Sequence, residues 1–331
     1  MEQLLLATIT VGGIYALLTL GLNVQLGYAG LINFGVVAYF TAGAYAYVIL
    51  VQPAPTGADT YKFGFEQPMW VGLIGAGLAA VVFALITGWP CLRLRGEYLA
   101  LTTFAFAEVF GSLVTNTTGV TNGTLGFFGI QQPFSTVVSG PNYPWLLAGL
   151  IALALLFTFV VVQRITRSPF GMALQAIRDD EVAAIQAGKN VRRLRLQAFL
   201  IGAVIYGFAS AIYAWYTTVV SPDQFNADIT FTVFIALTIG GIGSNLGAIL
   251  GAVLLIGSQE VVASLATNPV IAEKAGAVQA ALEGLLFLII LRAAPGGAAS
   301  LLHRRRRPID SQTEPPPAAP SHPTPNKVGA L

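Results

Sequence analysis

The run LLLATITVGGIYALLTLGLNVQL, residues 4–26, carries no charged side chain. A helix rises 1.5 Å per residue, so a run of about 20 residues crosses the roughly 30 Å hydrocarbon layer of a bilayer. The run is too long for the apolar region of a secretion signal and has no basic stretch before it. It reads as a first membrane helix, with no cleavable signal peptide expected. Further apolar runs follow at Leu31–Val51, Trp70–Trp89, Tyr98–Val114, Trp145–Val162, Leu196–Thr217, Ile229–Gly243, Leu246–Ala266 and Ala275–Leu291, nine in all. In lipid each is expected to be helical, since hydrocarbon satisfies no bare N–H or C=O. Tyr98–Val114 and Ile229–Gly243 are short enough to be half-helices or re-entrant pieces.

Composition agrees with that reading. The 331 residues are 55% hydrophobic and 10% charged, against about 25% charged in soluble domains, and the mean hydropathy is +0.72. An all-α, polytopic membrane protein of about nine helices (eight to ten) is expected.

The basic residues are sorted by side. Arg93 and Arg95 follow the third run. Arg164, Arg167, Arg178, Lys189, Arg192, Arg193 and Arg195 lie between the fifth and sixth, and Arg292 with Arg304 to Arg307 follow the last. The alternate connections hold only Lys62 and Lys274. Nine crossings place every basic connection on one side, which the positive-inside rule makes cytoplasmic. An external N-terminus and a cytoplasmic C-terminus follow. Trp70, Trp89, Tyr143 and Trp145 lie at run edges, where aromatic rings prefer the interface. Residues 1–303 are read as the membrane domain. Residues 304–331 are read as a basic, then Pro-rich tail too polar to bury a core; Arg304–Arg307 fits an anchor drawn to anionic lipid.

Several chemistries are excluded. The single cysteine, Cys91, permits neither an intrachain disulfide nor a cysteine-based metal site. His303 and His322 are the only histidines and both lie near the C-terminus, so no hydrolase triad and no histidine metal site are expected in the membrane domain. The Gly-rich run 119–129 has no Walker lysine, and Gly188-Lys189 lacks the rest of a P-loop. The chain is not expected to be an enzyme, to hold a cofactor or metal, or to bind nucleic acid.

Three features remain as candidates. Residues 168–190 lie outside the runs. Ser168-Pro169 is a helix start, Phe170, Leu174, Ile177 and Ala184 recur on one apolar face, Arg178 to Glu181 form the polar side, and Gly188 is a stop. A helix over Pro169–Gly188 is predicted. It suits either a helix resting on the bilayer or a docking helix for a cytoplasmic partner. Second, Gly243, Gly247 and Gly251 recur every four residues, a spacing for close helix packing within one subunit or between two. Third, Glu108, Glu260 and Glu283 lie within runs, where an ionisable group marks a functional candidate. Glu108 is the most central; Glu260 and Glu283 sit nearer run ends and read as structural. Asn23, Gln25 and Asn33 cluster at the first connection and suit interhelical hydrogen bonding.

Glu181-Val-Ala183-Ala184-Ile-Gln-Ala-Gly188 is similar to the EAA loop of ABC importer permeases, although Ala198 stands in the extended pattern's isoleucine position and its proline is missing. Further blocks resemble the LivM-type permeases for branched-chain amino acids. They are Gly21-Leu-Asn23 with Gly27-Tyr-Ala-Gly30, Leu92 to Thr102 leading into Ala107-Glu108, Gly171 to Glu181, Tyr213, Ser221-Pro222 and Gly240 to Gly247. The resemblance implies an ABC importer permease fold in a bacterial inner or plasma membrane. It also implies two ATPase subunits that bind the ATP, a second permease subunit (LivH-like or a copy of this chain) and an extracytoplasmic substrate-binding protein. It makes 168–190 the coupling helix, with Asp180, Glu181, Ala183, Ala184 and Gly188 at the ATPase contact. Related permeases serve leucine, isoleucine and valine, but also urea and amides. An ion-gradient-driven secondary transporter is the alternative; it needs acids or broken helices at the midplane, and Glu108 is the well-placed acid.

Overall fold

A computed structural model describes residues 2–265 except 56–60, 95, 136–137 and 139, together with isolated positions between 276 and 292. Arg95, the connection Thr267–Lys274, most of the run Ala275–Leu291, Glu283, both histidines and the tail 304–331 lie outside the described residues.

The described chain is helical almost throughout. Helix α1 (Glu2–Leu22) passes directly into a π-helix (Asn23–Tyr28). Then come α2 (Val36–Val51), α3 (Met69–Cys91), α4 (Glu97–Asn116), the single turn α5 (Thr118–Thr121) and α6 (Tyr143–Thr166). Outside the spans lie α7 (Pro169–Asp179) and α8 (Glu181–Gln186); α9 (Val191–Thr217), α10 (Ala227–Gly240) and α11 (Asn245–Leu265) follow. Two-residue strands β1 (Phe127–Phe128) and β2 (Val219–Val220) pair antiparallel, Phe127 opposite Val220. Among the described residues six helices are long and apolar enough to cross a membrane: α1 with its π-helical end, α3, α4, α6, α9 and α11.

Two expected runs form less helix than their length allows. The run Leu31–Val51 turns helical only at Val36. Residues 31–35 leave the helix because side chains take up their backbone donors: Phe34 N–H donates to Thr103 Oγ1 at 3.0 Å and Gly35 N–H to Asn33 Oδ1 at 2.9 Å. The first turn of α2 is held in the same way, with Val37 N–H donating to Thr230 Oγ1 at 3.2 Å. Phe34 stacks on Phe234 with centroids 4.3 Å apart, so this irregular stretch is enclosed by protein, as backbone at membrane depth must be. Helix α10 has 14 residues, about 21 Å at 1.5 Å each. By contrast the short run Tyr98–Val114 extends to the 20 residues of α4.

Helix α3 turns small residues inward and large ones outward. On α3, Ala76, Ala80 and Ala84 are fully buried, while Ile74, Leu78, Val82, Leu85 and Ile86 are exposed. On α6, Leu153, Leu156, Phe157 and Val160 are also exposed. Lipid tails are as apolar as leucine, so helices associate by close van der Waals approach and not by hiding bulk. Of the six long spans α9 is the most buried: 67% of its apolar window is buried, against 22% for α4 and for α6. It packs on α2 and α3 across a seam of small side chains. A Cβ on Gly207 would lie 2.5 Å from the Ala76 carbonyl oxygen and 2.9 Å from Gly77 Cα, and one on Gly43 would lie 2.4 Å from Ser210 Oγ.

Connections gather at two ends. Residues 92–94 and 167–192 share one end, where the Arg192 guanidinium sits 4.4 Å over the Trp89 ring. At the other, Lys62 N–H donates to the Gly119 carbonyl, Gln52 Nε2 to that of Phe128 and Gln132 Nε2 to that of Trp215. Introducing a valine at Gly207 is expected to cost about 1–3 kcal/mol through overpacking. Its thermal unfolding midpoint in detergent should fall clearly, while Gly257→Ala, whose Cβ meets nothing closer than 3.4 Å, should unfold with the parent.

Candidate functional site

At the basic end, buried amides knit the π-helix to four other elements. Asn23, Gln25 and Asn33 have no exposed surface. Asn23 Nδ2 donates to Asn245 Oδ1 at 2.8 Å, and Asn23 Oδ1 accepts from Gly243 N–H at 2.8 Å. Gln25 Nε2 donates to the Phe199 carbonyl on α9 at 2.9 Å; its Oε1 accepts from Asn33 Nδ2 at 2.9 Å and from the Tyr206 hydroxyl at 3.0 Å. Asn245 Nδ2 in turn donates to Thr166 Oγ1 at 3.0 Å, at the end of α6. All three predicted amides therefore bond between elements within the chain. Asn245 and Tyr206 complete the set and escaped the sequence reading, because an isolated Asn after a glycine turn looks like a helix start.

The predicted helix Pro169–Gly188 is two helices. Asp180 breaks it: its backbone is extended (φ −151°, ψ 105°), and its carboxylate accepts from Val182 N–H at 2.9 Å and Ala183 N–H at 3.0 Å as the N-cap of α8. Capping a new helix holds two otherwise orphaned donors, which is why the chain restarts instead of continuing. Asp180 is thus committed to its own backbone. Glu181 is also engaged, since its two carboxylate oxygens meet Arg195 Nη1 and Nη2 at 3.2 and 3.1 Å. Ala184 packs beneath α8 with Ile177 and Val191. Ala183 and Gly188 are exposed, Gly188 ending the segment at φ +74°. The large apolar side chains exposed on α8 are Val182 (63%) and Ile185 (52%). Below them, α7 is anchored by Arg178, whose Nη1 donates to the Gly27 carbonyl of the π-helix and whose Nη2 pairs with Asp179 at 2.9 Å. One guanidinium joins the extramembrane helices to the end of the first span.

Of the glycine series, Gly247 and Gly251 lie between α11 and α10 of this chain. Cβ atoms on Gly251 and Gly240 would lie 2.1 Å from the Ala236 and 2.0 Å from the Gly247 carbonyl oxygens. Gly243 is not on that face; it occupies the turn between the helices at φ +89°, where the Gly27 carbonyl and Arg178 approach it.

Glu108 is exposed on α4. It lines a cavity of about 420 Å³ with Ser112, Thr115 and Asn116 one and two turns along the same face, and with Asp223 and Asn226 from the turn ahead of α10. Among the described residues no group of His, Cys, Asp and Glu is placed to hold a metal ion.

Asn23→Leu should lower stability by about 1–3 kcal/mol for each buried group left unpaired. In a double-mutant cycle with Asn245→Leu, the pair should be less destabilised than the sum of the singles by at least 0.5 kcal/mol; additivity in thermal unfolding would mean that the two amides do not interact.

Sequence comparison completes the description. The family described as branched-chain amino acid transport system / permease component matches residues 4–291. The high-affinity branched-chain amino acid transport system permease protein LivM of Escherichia coli (strain K12) is 34% identical over 277 residues, covering 77% of this chain and 62% of that protein. This chain therefore spans less than two thirds of that relative's length. A probable LivM of Methanocaldococcus jannaschii is 28% identical over 263 residues, covering 72% of this chain and 75% of that protein. The LivH permease of Salmonella typhimurium is 26% identical over 264 residues, 75% and 81% respectively. No solved structure matches the chain. The multi-block sequence pattern, the bundle of apolar helices and the match along nearly all of it agree: the chain belongs to the branched-chain amino acid transport permease family.

Proposed function

We propose that this chain is one membrane subunit of an ABC importer that carries branched-chain amino acids, with ATP hydrolysed by separate ATPase subunits and cargo delivered by an extracytoplasmic binding protein. The carrying observation is α8: a short helix outside the spans, braced from behind by the Glu181–Arg195 pair and the Ala184 contact, that presents Val182 and Ile185 outward. Exposed aliphatic side chains on a rigidly held helix are the pattern of a docking element. Val182, Ala183, Ile185 and Gly188 form the ATPase contact, while Asp180 and Glu181 hold the helix in shape behind it. The surrounding excess of Lys and Arg supports a cytoplasmic position for this end.

The Glu108 cavity is the portion of the pathway that this subunit lines. A carboxylate facing hydrocarbon costs about 2.5–3.5 kcal/mol on insertion scales, so the polar stripe Glu108, Ser112, Thr115 and Asn116 faces water or a second permease subunit. A LivH-like protein suits that second place, and the names of the matched relatives support branched-chain amino acids as cargo.

Two variants test this. Ile185→Asp should abolish co-purification of ATPase subunits from detergent-solubilised membranes, at least tenfold, while leaving the chain folded. Glu108→Gln should reduce uptake of radiolabelled leucine several-fold with ATPase recovery unchanged. ATPase retained by Ile185→Asp would move the contact off α8. Uptake that collapses with an ionophore and needs no ATPase would replace the reading with an ion-driven carrier.

A further inference from the structure

Beside α8 lies a second pocket, of about 340 Å³, where α3 ends and α9 begins. Its floor is apolar: Leu92 and Val191 are each 8% exposed. Its wall is basic, formed by Arg93, Lys189 and Arg192. None of these three forms an ion pair with a carboxylate among the described residues; the acid in the pocket, Glu181, is bound on both oxygens by Arg195. Three cations around one concavity repel one another and call for an anion. Depth within the bilayer indicates which kind. Arg192 is stacked at 4.4 Å on Trp89, which is 57% exposed near the end of α3. Indole rings in that position settle at headgroup level. The pocket therefore lies where hydrocarbon gives way to phosphate, and basic pockets between spans at that depth take lipid headgroups.

We propose that the pocket formed by Arg93, Lys189 and Arg192 binds the phosphate of an anionic phospholipid, and that the bound headgroup braces α8. Ile185 and Glu181 line the same pocket, so the lipid touches the helix that the function proposed above assigns to the ATPase contact. The site itself does not rest on that assignment; only its effect on coupling does. The contact is charge-driven: each cation near the membrane surface contributes about fivefold in affinity. Lysine serves as well as arginine against a lone phosphate, except where bidentate geometry matters.

The test uses the full chain purified from its membrane with whatever subunits accompany it. Native mass spectrometry counts retained phosphatidylglycerol, and thermal unfolding is followed as phosphatidylglycerol or inorganic phosphate is added back after delipidation. The parent should retain the lipid and gain stability from it but not from inorganic phosphate. Arg93→Ala/Lys189→Ala, which leaves the Trp89 stack untouched, should bind it roughly 25-fold more weakly (about fivefold per cation). Arg93→Lys should bind it like the parent, showing that any loss is one of charge and not of fold. Equal retention by the double variant overturns the proposal, as does equal protection by inorganic phosphate. Unchanged retention with loss of ATPase subunits would instead make the cations part of the protein interface. Where ATPase subunits co-purify, activity in discs of phosphatidylcholine alone should be several-fold below that in discs containing about a quarter phosphatidylglycerol. A chain that retains the lipid but brings no ATPase would leave the site standing and remove the importer reading.

Discussion

A carboxamide buried among membrane helices has no water to turn to, so each of its groups must find a protein partner or cost several kcal/mol. Gln25 meets that demand with three bonds and Asn23 with two, and their partners fix where α6, α9, α11 and the stretch 31–35 lie. Both amides lie on the π-helix. Asn23 and Gln25 stand two positions apart on it and point in different directions, one toward the Gly243 turn and the other toward α9. Removing that constraint would leave the small-residue seams free to slide, because van der Waals contact between alanine and glycine faces specifies separation better than register.

The same knot reaches out of the membrane. Arg178 spends one nitrogen on the Gly27 carbonyl, and a guanidinium in that position cannot follow α7 unless the π-helix follows too. Helix α8 is joined to α7 through the extended residue Asp180 and to α9 through the Glu181–Arg195 pair. A push on α8 therefore has two stiff exits into the bundle, one to the first span and one to α9. That arrangement suits the coupling role proposed for α8.

Much of this was legible in the residues. Apolar runs announce spans because lipid tolerates little else, and the Lys and Arg counts separate the two ends because insertion obeys them. The amide cluster was visible as polar residues in an otherwise apolar run. What periodicity does not see is backbone leaving the helix inside a run of unbroken apolarity, so the late start of α2 was hidden, although Gly30 and Gly35 bracket it. The break at Asp180 had a local signal, an Asp followed by Glu at a possible first helical position, masked by the apolar spacing that continues across it. The role of Arg178 had none: its partner is a backbone carbonyl 151 residues earlier, and a carbonyl carries no sequence mark. The Glu108 cavity needed the fold as well, since Asp223 and Asn226 reach it from a turn more than a hundred positions away.

The π-helix also makes residue count matter in one short place. Each of its turns holds about one residue more than an α-turn, so losing one residue between Asn23 and Tyr28 would let the segment wind as ordinary α-helix. Positions beyond the segment would keep their direction, but the spacing among Asn23, Gln25 and Gly27 inside it would change, and with it their reach to the Gly243 turn, Tyr206 and Arg178. The connection between α4 and α6 lies outside the spans, where no single helical turn sets the facing of a buried amide. Among relatives, length differences should therefore collect in the neutral-end connections, while the count from α1 to α2 stays fixed.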